Sequence, residues 1–112
     1  MYFLVLGTDK PDMADVRSEV RPIHRAYLRN PGAHPVKVHL GGPTLTTAGE
    51  QANGTLLVVE ADDIAAVSEF VADDPYSQAG VFRSVEIRPW AWTVGAPEQR
   101  EVKQRMRQGV TT

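Results

Sequence analysis

The chain opens on a run that is apolar at every position, Tyr2-Phe3-Leu4-Val5-Leu6, as expected of a central strand covered on both faces. Gly7-Thr8-Asp9-Lys10-Pro11-Asp12 reads as the turn that ends it. From Met13 the period changes. Met13, Val16, Val20, Ile23 and Tyr27 recur at intervals of three and four, which puts one apolar stripe on a helix face. Pro22 falls inside this pattern, so either the helix bends there or a new turn begins. Asn30-Pro31-Gly32 stops the helix, and Val36, Val38 and Leu40 then alternate with Lys37 and His39 as in an edge strand, up to Gly41-Gly42-Pro43.

Residues 44 to 53 are polar and small, longer than a tight hairpin, and lead into Leu56-Leu57-Val58-Val59, again apolar on both faces. Asp62 or Asp63 caps a second helix with Ile64, Val67, Phe70 and Val71 on one side, and Asp73-Asp74-Pro75 ends it. Residues 81 to 88 form a last edge strand in which Val85 and Ile87 alternate with Glu86 and Arg88. The order βαββαβ predicts an α+β, ferredoxin-like fold: a four-stranded antiparallel sheet, strands one and three central, both helices on one face. The central strands are apolar on the other face too, so something must cover it. Face-to-face packing of two copies does so, and a homodimer with a pocket near the sheet-helix boundary is the expectation. We place the domain at residues 1 to 92. Residues 93 to 112 are expected as a charged tail or short helix starting at Pro97, with a Glu101-Arg105 pair and almost no apolar face.

Composition narrows the function classes. The 112 residues suffice for one domain, and no apolar run approaches the ~18 residues of a membrane span. A formal charge of -2 offers no broad basic field for nucleic acid. Having no cysteine, the chain has no disulfides, thiolate metal sites or cysteine nucleophile. It starts without a basic n-region or cleavage site, which argues against a signal peptide and for a cytoplasmic location. Asn53-Gly54-Thr55 is then only a turn. Gly41-Gly42-Pro43 lacks the following helix and the Gly-Lys-Ser/Thr ending of a phosphate loop, so no nucleotide cofactor is expected. Its glycines would let the backbone leave strand two sharply and approach a ligand.

Two places hold a titratable base and carboxylates at the end of regular structure: Arg21-Pro22-Ile23-His24 and Asp73-Asp74-Pro75-Tyr76. His24 lies between Val20 and Leu28, at the border of the helix's buried stripe. An imidazole exchanges protons at neutral pH, and a carboxylate on one ring nitrogen fixes its tautomer, a role open to the Asp73-Asp74 pair. The plainer reading is a satisfied boundary histidine and aspartates that only close helix two. His24, His34 and His39 make a poor zinc set, since no helix aligns the last two and a proline separates them. No metal is expected. His39 points opposite Val38 and Leu40, towards solvent or a dimer pocket. Tyr76 either donates a hydrogen bond to a ligand or packs over its turn, and Trp90 and Trp92 are read as core or subunit-interface packing.

Taken in order, the aromatic-aliphatic first strand, Arg21-Pro22-Ile23-His24, Gly42-Pro43, Asp74-Pro75-Tyr76 with Ala79-Gly80-Val81, and Pro89-Trp90 resemble the YCII-related (YciI-like) family, a branch of the dimeric α/β-barrel proteins. The resemblance runs through most of residues 1 to 92. It implies a His-Asp pair in a pocket, here His24 and Asp74, with Gly42, Pro43 and Tyr76 as walls and His39 as a further substrate-binding candidate. It also implies homodimers or larger assemblies, a small-molecule ligand, and cofactor-independent lyase or isomerase chemistry on a small cyclic metabolite of aromatic breakdown. The competing expectations are a non-catalytic small-ligand-binding or accessory protein and a purely structural sheet dimer that uses its charged tail to bind another protein.

Overall fold

A computed structural model describes residues 1–99; the expected Glu101-Arg105 pair lies outside them. The elements are β1 (Tyr2–Asp9), α1 (Ala14–Arg29), β2 (Lys37–Leu45), β3 (Ala52–Glu60), α2 (Ile64–Ala72), α3 (Pro75–Gln78) and β4 (Phe82–Trp90). The sheet is antiparallel with order β2-β3-β1-β4, so the two strands that are apolar on both sides are the central pair. This is the expected ferredoxin-like α+β fold. Among the described residues no helix is long and apolar enough to cross a membrane.

Register decides which side chains meet the helices. Phe3 lies opposite Val59 and Val5 opposite Leu57, and these four pack with Val36, Val67, Phe70 and Val71 in one buried cluster. The alternate positions face away. Leu4 opposite Val58 and Leu6 opposite Leu56 form a second apolar surface, on which Leu40 and Leu56 stay 49% and 37% exposed. Residues 93 to 99 fold back at one end of this open face, where the Tyr2 hydroxyl donates to Glu98 Oε1 at 2.5 Å and Ala96 is buried.

Several local expectations are revised. Helix α1 runs unbroken through Pro22, which forgoes only the bond its missing N–H would make. Its inward residues are Arg17 and His24, whereas Ile23 is 64% exposed. After Val20 the step to the next inward position is four residues, and both steps were open in the periodicity. Strand β2 does not leave at the glycines but continues through Gly41-Gly42-Pro43 to Leu45. A bulge between Val38 and Leu40 sets Val38 opposite Val59 and Leu40 opposite Val58. The two therefore occupy opposite faces, because one extra residue shifts the alternation. Of the expected caps, Asp63 serves α2 by accepting from Ala66 N–H at 2.9 Å. Beyond α2 the chain makes the short α3, capped by Asp74.

Candidate functional site

Helix α1 packs against α3, and this contact brings His24 to Asp74 across fifty residues of sequence. Their Nδ1 and Oδ1 atoms are 2.8 Å apart, with both side chains over nine-tenths buried. Asp74 Oδ1 also accepts the Tyr76 backbone N–H at 2.8 Å. An oxygen that serves as acceptor to one N–H is suited to accept a second, so the geometry assigns the imidazole proton to Nδ1 and leaves Nε2 as the exchangeable atom. Asp74 thus does two jobs: it caps α3 and orients His24.

The ring of Tyr76 stacks on the imidazole, centroids 3.8 Å apart and planes 14° apart. The guanidinium of Arg17 lies 4.6 Å from the same ring's centre. Arg17 is itself fixed. Its Nε donates to Asp9 Oδ2 at 2.8 Å, and its Nη2 donates to the Gly54 carbonyl at 2.6 Å and to the Thr55 hydroxyl. Gly54 also lets β3 lie close against β1, since a Cβ there would stand 2.3 Å from the Gly7 carbonyl. Asp9 Oδ1 is buried without a hydrogen-bond partner among the described residues.

Beside His24 opens a cavity of about 230 Å³. Tyr76, Thr55, Gly42, Pro43 and Leu28 contribute to its wall, together with Arg17, Arg21 and Arg25. A wider depression of about 540 Å³ near Met1, His34, Lys37 and Glu60 has no comparably buried base and acid. Of the candidate residues, His24, Tyr76, Gly42 and Pro43 converge on the smaller cavity, and Asp74 stands behind the imidazole. His39 is not brought there. It meets Tyr2 and Trp92 in edge-on contacts and lies 2.8 Å from Glu60, since the β2 bulge turns it to the open face. His34 is held separately by Asp73 at 2.8 Å. Each histidine has its own carboxylate, and no group of three or more His, Cys, Asp or Glu side chains is gathered for a metal among the described residues.

Burial, hydrogen bonding and nearby carboxylates raise two tyrosines elsewhere. Burial, then the nearby Asp73 and Asp74 carboxylates, push the Tyr27 phenol up to about 12. Its hydroxyl donates to the Phe70 carbonyl at 2.6 Å, tying α1 to α2. The hydrogen bond to Glu98 is the main cause that raises Tyr2 to about 12 and holds Glu98 below the usual carboxylate value.

Sequence reasoning missed the arginines. Arg17, Arg21 and Arg25 stand four apart, the spacing that puts side chains on one helix face. That signal was legible; what hid it was the competing apolar stripe.

A ferredoxin-like sheet with a buried His-Asp pair at the mouth of a small basic cavity is the class that fold and site define. The chain belongs to the YCII-related domain family, whose model matches residues 1–91. It is 27% identical over 101 residues to protein YciI of Escherichia coli, covering 80% of this chain and 96% of that one. An uncharacterised protein of Haemophilus influenzae is 26% identical over 95 residues, with the same coverage. Among solved structures, a 5-chloro-2-hydroxyhydroquinone dehydrochlorinase from Burkholderia phenoliruptrix, in complex with 2,5-dihydroxybenzoquinone, superposes with a TM-score of 0.69 at 33% identity, covering 81% of this chain and 94% of that one. A protein from Agrobacterium tumefaciens shares the fold, with a TM-score of 0.52 at 10% identity, over 86% of this chain and 96% of that one.

Proposed function

We propose that this protein is a lyase or isomerase that moves protons on a small cyclic metabolite without a cofactor, with His24 as acid-base and Asp74 as its orienting carboxylate. The observation that carries the reading is the buried His24-Asp74 hydrogen bond, made at the edge of a cavity of single-ring size. Paired acid-base groups of this kind contribute about 10²- to 10⁴-fold in rate.

The similarity to the dehydrochlorinase supports an elimination from a chlorinated, hydroxylated ring. For such a substrate the proton count is definite. One hydroxyl proton moves to the chlorine-bearing carbon, giving a keto tautomer with an sp³ centre. Loss of a second hydroxyl proton then drives electrons through the ring and expels chloride, so HCl leaves and a hydroxyquinone remains. His24 Nε2 is the atom suited to take the first proton and return it, while Asp74 stabilises the imidazolium formed between the two events.

The proposed partner for the open sheet face is a second copy of this chain, which would cover Leu4, Leu6, Leu40 and Leu56.

The test is chloride release and quinone absorbance on incubation with 5-chloro-2-hydroxyhydroquinone, compared between the native chain and His24→Gln. Turnover that falls by at least about a hundredfold in the folded variant supports the reading. Undiminished turnover in His24→Gln sinks it. Ligand-dependent stabilisation without product, across chlorinated and unchlorinated rings, favours the non-catalytic binder instead.

A further inference from the structure

We infer that the ligand of the His24 cavity is a planar oxyanion, a single ring bearing an ionised hydroxyl or a carboxylate, and that Arg21 and Arg25 are the residues that select it. This substrate class rests on the acid-base reading of the same cavity and adds its charge.

The inference comes from charges that the fold leaves unspent. Arg17, Arg21 and Arg25 all line the cavity from successive turns of α1. Arg17 is neutralised by Asp9 and held by Gly54 and Thr55. Arg21 and Arg25 have neither an ion pair nor a side-chain hydrogen bond among the described residues. Their helix neighbours cannot help. Three and four residues away stand Arg17, Ser18, His24 and Arg25 for the first, and Arg21, Pro22, Leu28 and Arg29 for the second. Like charges four apart work against a helix, and Arg21 and Arg25 have no pair among the described residues to offset that repulsion.

Among the described residues the cavity wall carries no carboxylate. Asp74 faces His24 and α3, with its side chain 4% exposed. Two cations therefore stand over a small space without an acid, in a chain whose net charge is -2. The basic character is local to the cavity. Guanidinium groups match planar oxyanions through two parallel N–H donors; Arg21 is half-buried and Arg25 exposed at the cavity rim. The remaining wall is suited to a flat ring. It offers Pro43 and the side-chain-free backbone at Gly41 and Gly42, and a volume of about 230 Å³ lies below the range of about 300–1,000 Å³ typical of larger ligands.

Calorimetric titration of the full chain tests this with matched pairs. One pair is 2,5-dihydroxybenzoquinone, ionised at neutral pH, against its dimethyl ether; the other is 2,5-dihydroxybenzoate against its methyl ester. At least one anion should bind about tenfold or more tightly than its capped partner, and the stronger of the two identifies the oxyanion type. Affinity should weaken as salt rises. Arg21→Gln and Arg25→Gln should each lose about tenfold, with Arg25→Lys falling between because it keeps the charge without the fork. Equal binding of anion and capped ring, or native affinity in the folded Arg21→Gln/Arg25→Gln variant, overturns the inference. His24→Gln separates the two proposals. Anion affinity retained with no turnover in any variant, native chain included, leaves the ligand class standing and removes the lyase; turnover of neutral rings indifferent to both arginines does the reverse.

Discussion

The His24 imidazole lies almost flat against the Tyr76 ring, with centroids 3.8 Å apart, while the backbone N–H of that same tyrosine shares Asp74 Oδ1 with His24. One three-residue stretch, Asp74-Pro75-Tyr76, therefore supplies both the carboxylate that sets the imidazole's tautomer and the surface that sets its plane. The proline starts α3 and fixes the backbone between the two roles.

Tyr76 should accordingly separate packing from hydrogen bonding. Its ring is 1% exposed, whereas no hydrogen bond of its hydroxyl is found among the described residues. Tyr76→Phe should stay within about 1 kcal/mol of the native stability. Tyr76→Ala should lose about 3–5 kcal/mol and leave the imidazole without its support. Urea unfolding of the two variants measures both.

Asp74→Asn keeps the side-chain shape but removes the negative charge opposite Nδ1. On the proposed mechanism kcat should fall by about 10²- to 10⁴-fold, with the far-ultraviolet dichroism unchanged. Asp74→Ala should in addition destabilise the chain by about 1 kcal/mol or more, because α3 loses its cap. Equal activity of the native chain and Asp74→Asn would remove the orienting role.

The Arg17-Asp9 pair is almost fully buried, at 5% and 6% side-chain exposure. Breaking one partner leaves the other as an uncompensated buried charge, so Asp9→Asn should cost about 3–5 kcal/mol. The same substitution should loosen the guanidinium beside Tyr76. A thermal melt checks the first effect, and the crystallographic position of Arg17 in the variant checks the second.

Tyr27 makes the stability depend on alkaline pH. Its phenol is raised to about 12 in the folded chain, against an ordinary value of 10.0. Between those values the unfolded chain has released a proton that the folded chain retains, so stability is complete below pH 10 and falls as pH rises to 12. Tyr2, also raised to about 12, contributes in the same window. Tyr27→Phe should flatten part of this loss without abolishing it, as read from denaturant midpoints across the range.

The proposed second copy on the open face gives a simple hydrodynamic expectation. Leu56 lies opposite Leu6 and is 37% exposed, so Leu56→Glu would bury a charge in a sheet-on-sheet contact. Sedimentation velocity should find the native chain dimeric and Leu56→Glu monomeric. A native chain that sediments as a monomer at tens of micromolar concentration would count against the dimer.

The fold was largely legible because strand and helix periods are local. Tyr2-Phe3-Leu4-Val5-Leu6 and Leu56-Leu57-Val58-Val59 declare themselves central by being apolar on both sides, and the sheet order follows from that. Leu40 was expected on the face of Val38 and lies on the other for the opposite reason: a bulge is a property of two paired strands, and the β2 sequence alternates regularly through it. Ile23 and His24 show the limit of helix periodicity, since steps of three and four are both helical and packing chooses between them.

By itself, then, the sequence determined the βαββαβ order, the two central strands, a helix cap at Asp62 or Asp63, and the two segments carrying His24 and Asp74, all of which depend on neighbours a few residues away. Tertiary structure alone decided which aspartate meets which histidine. Asp73 and Asp74 are adjacent and chemically identical, yet one points to His34 at the surface and the other to His24 in the interior. That choice depends on the rotation of the α2-α3 junction against α1. The same packing chose Arg17 over the neighbouring Val16 as the inward residue and gave it a buried acid, leaving Arg21 and Arg25 to face the cavity with their charge unspent.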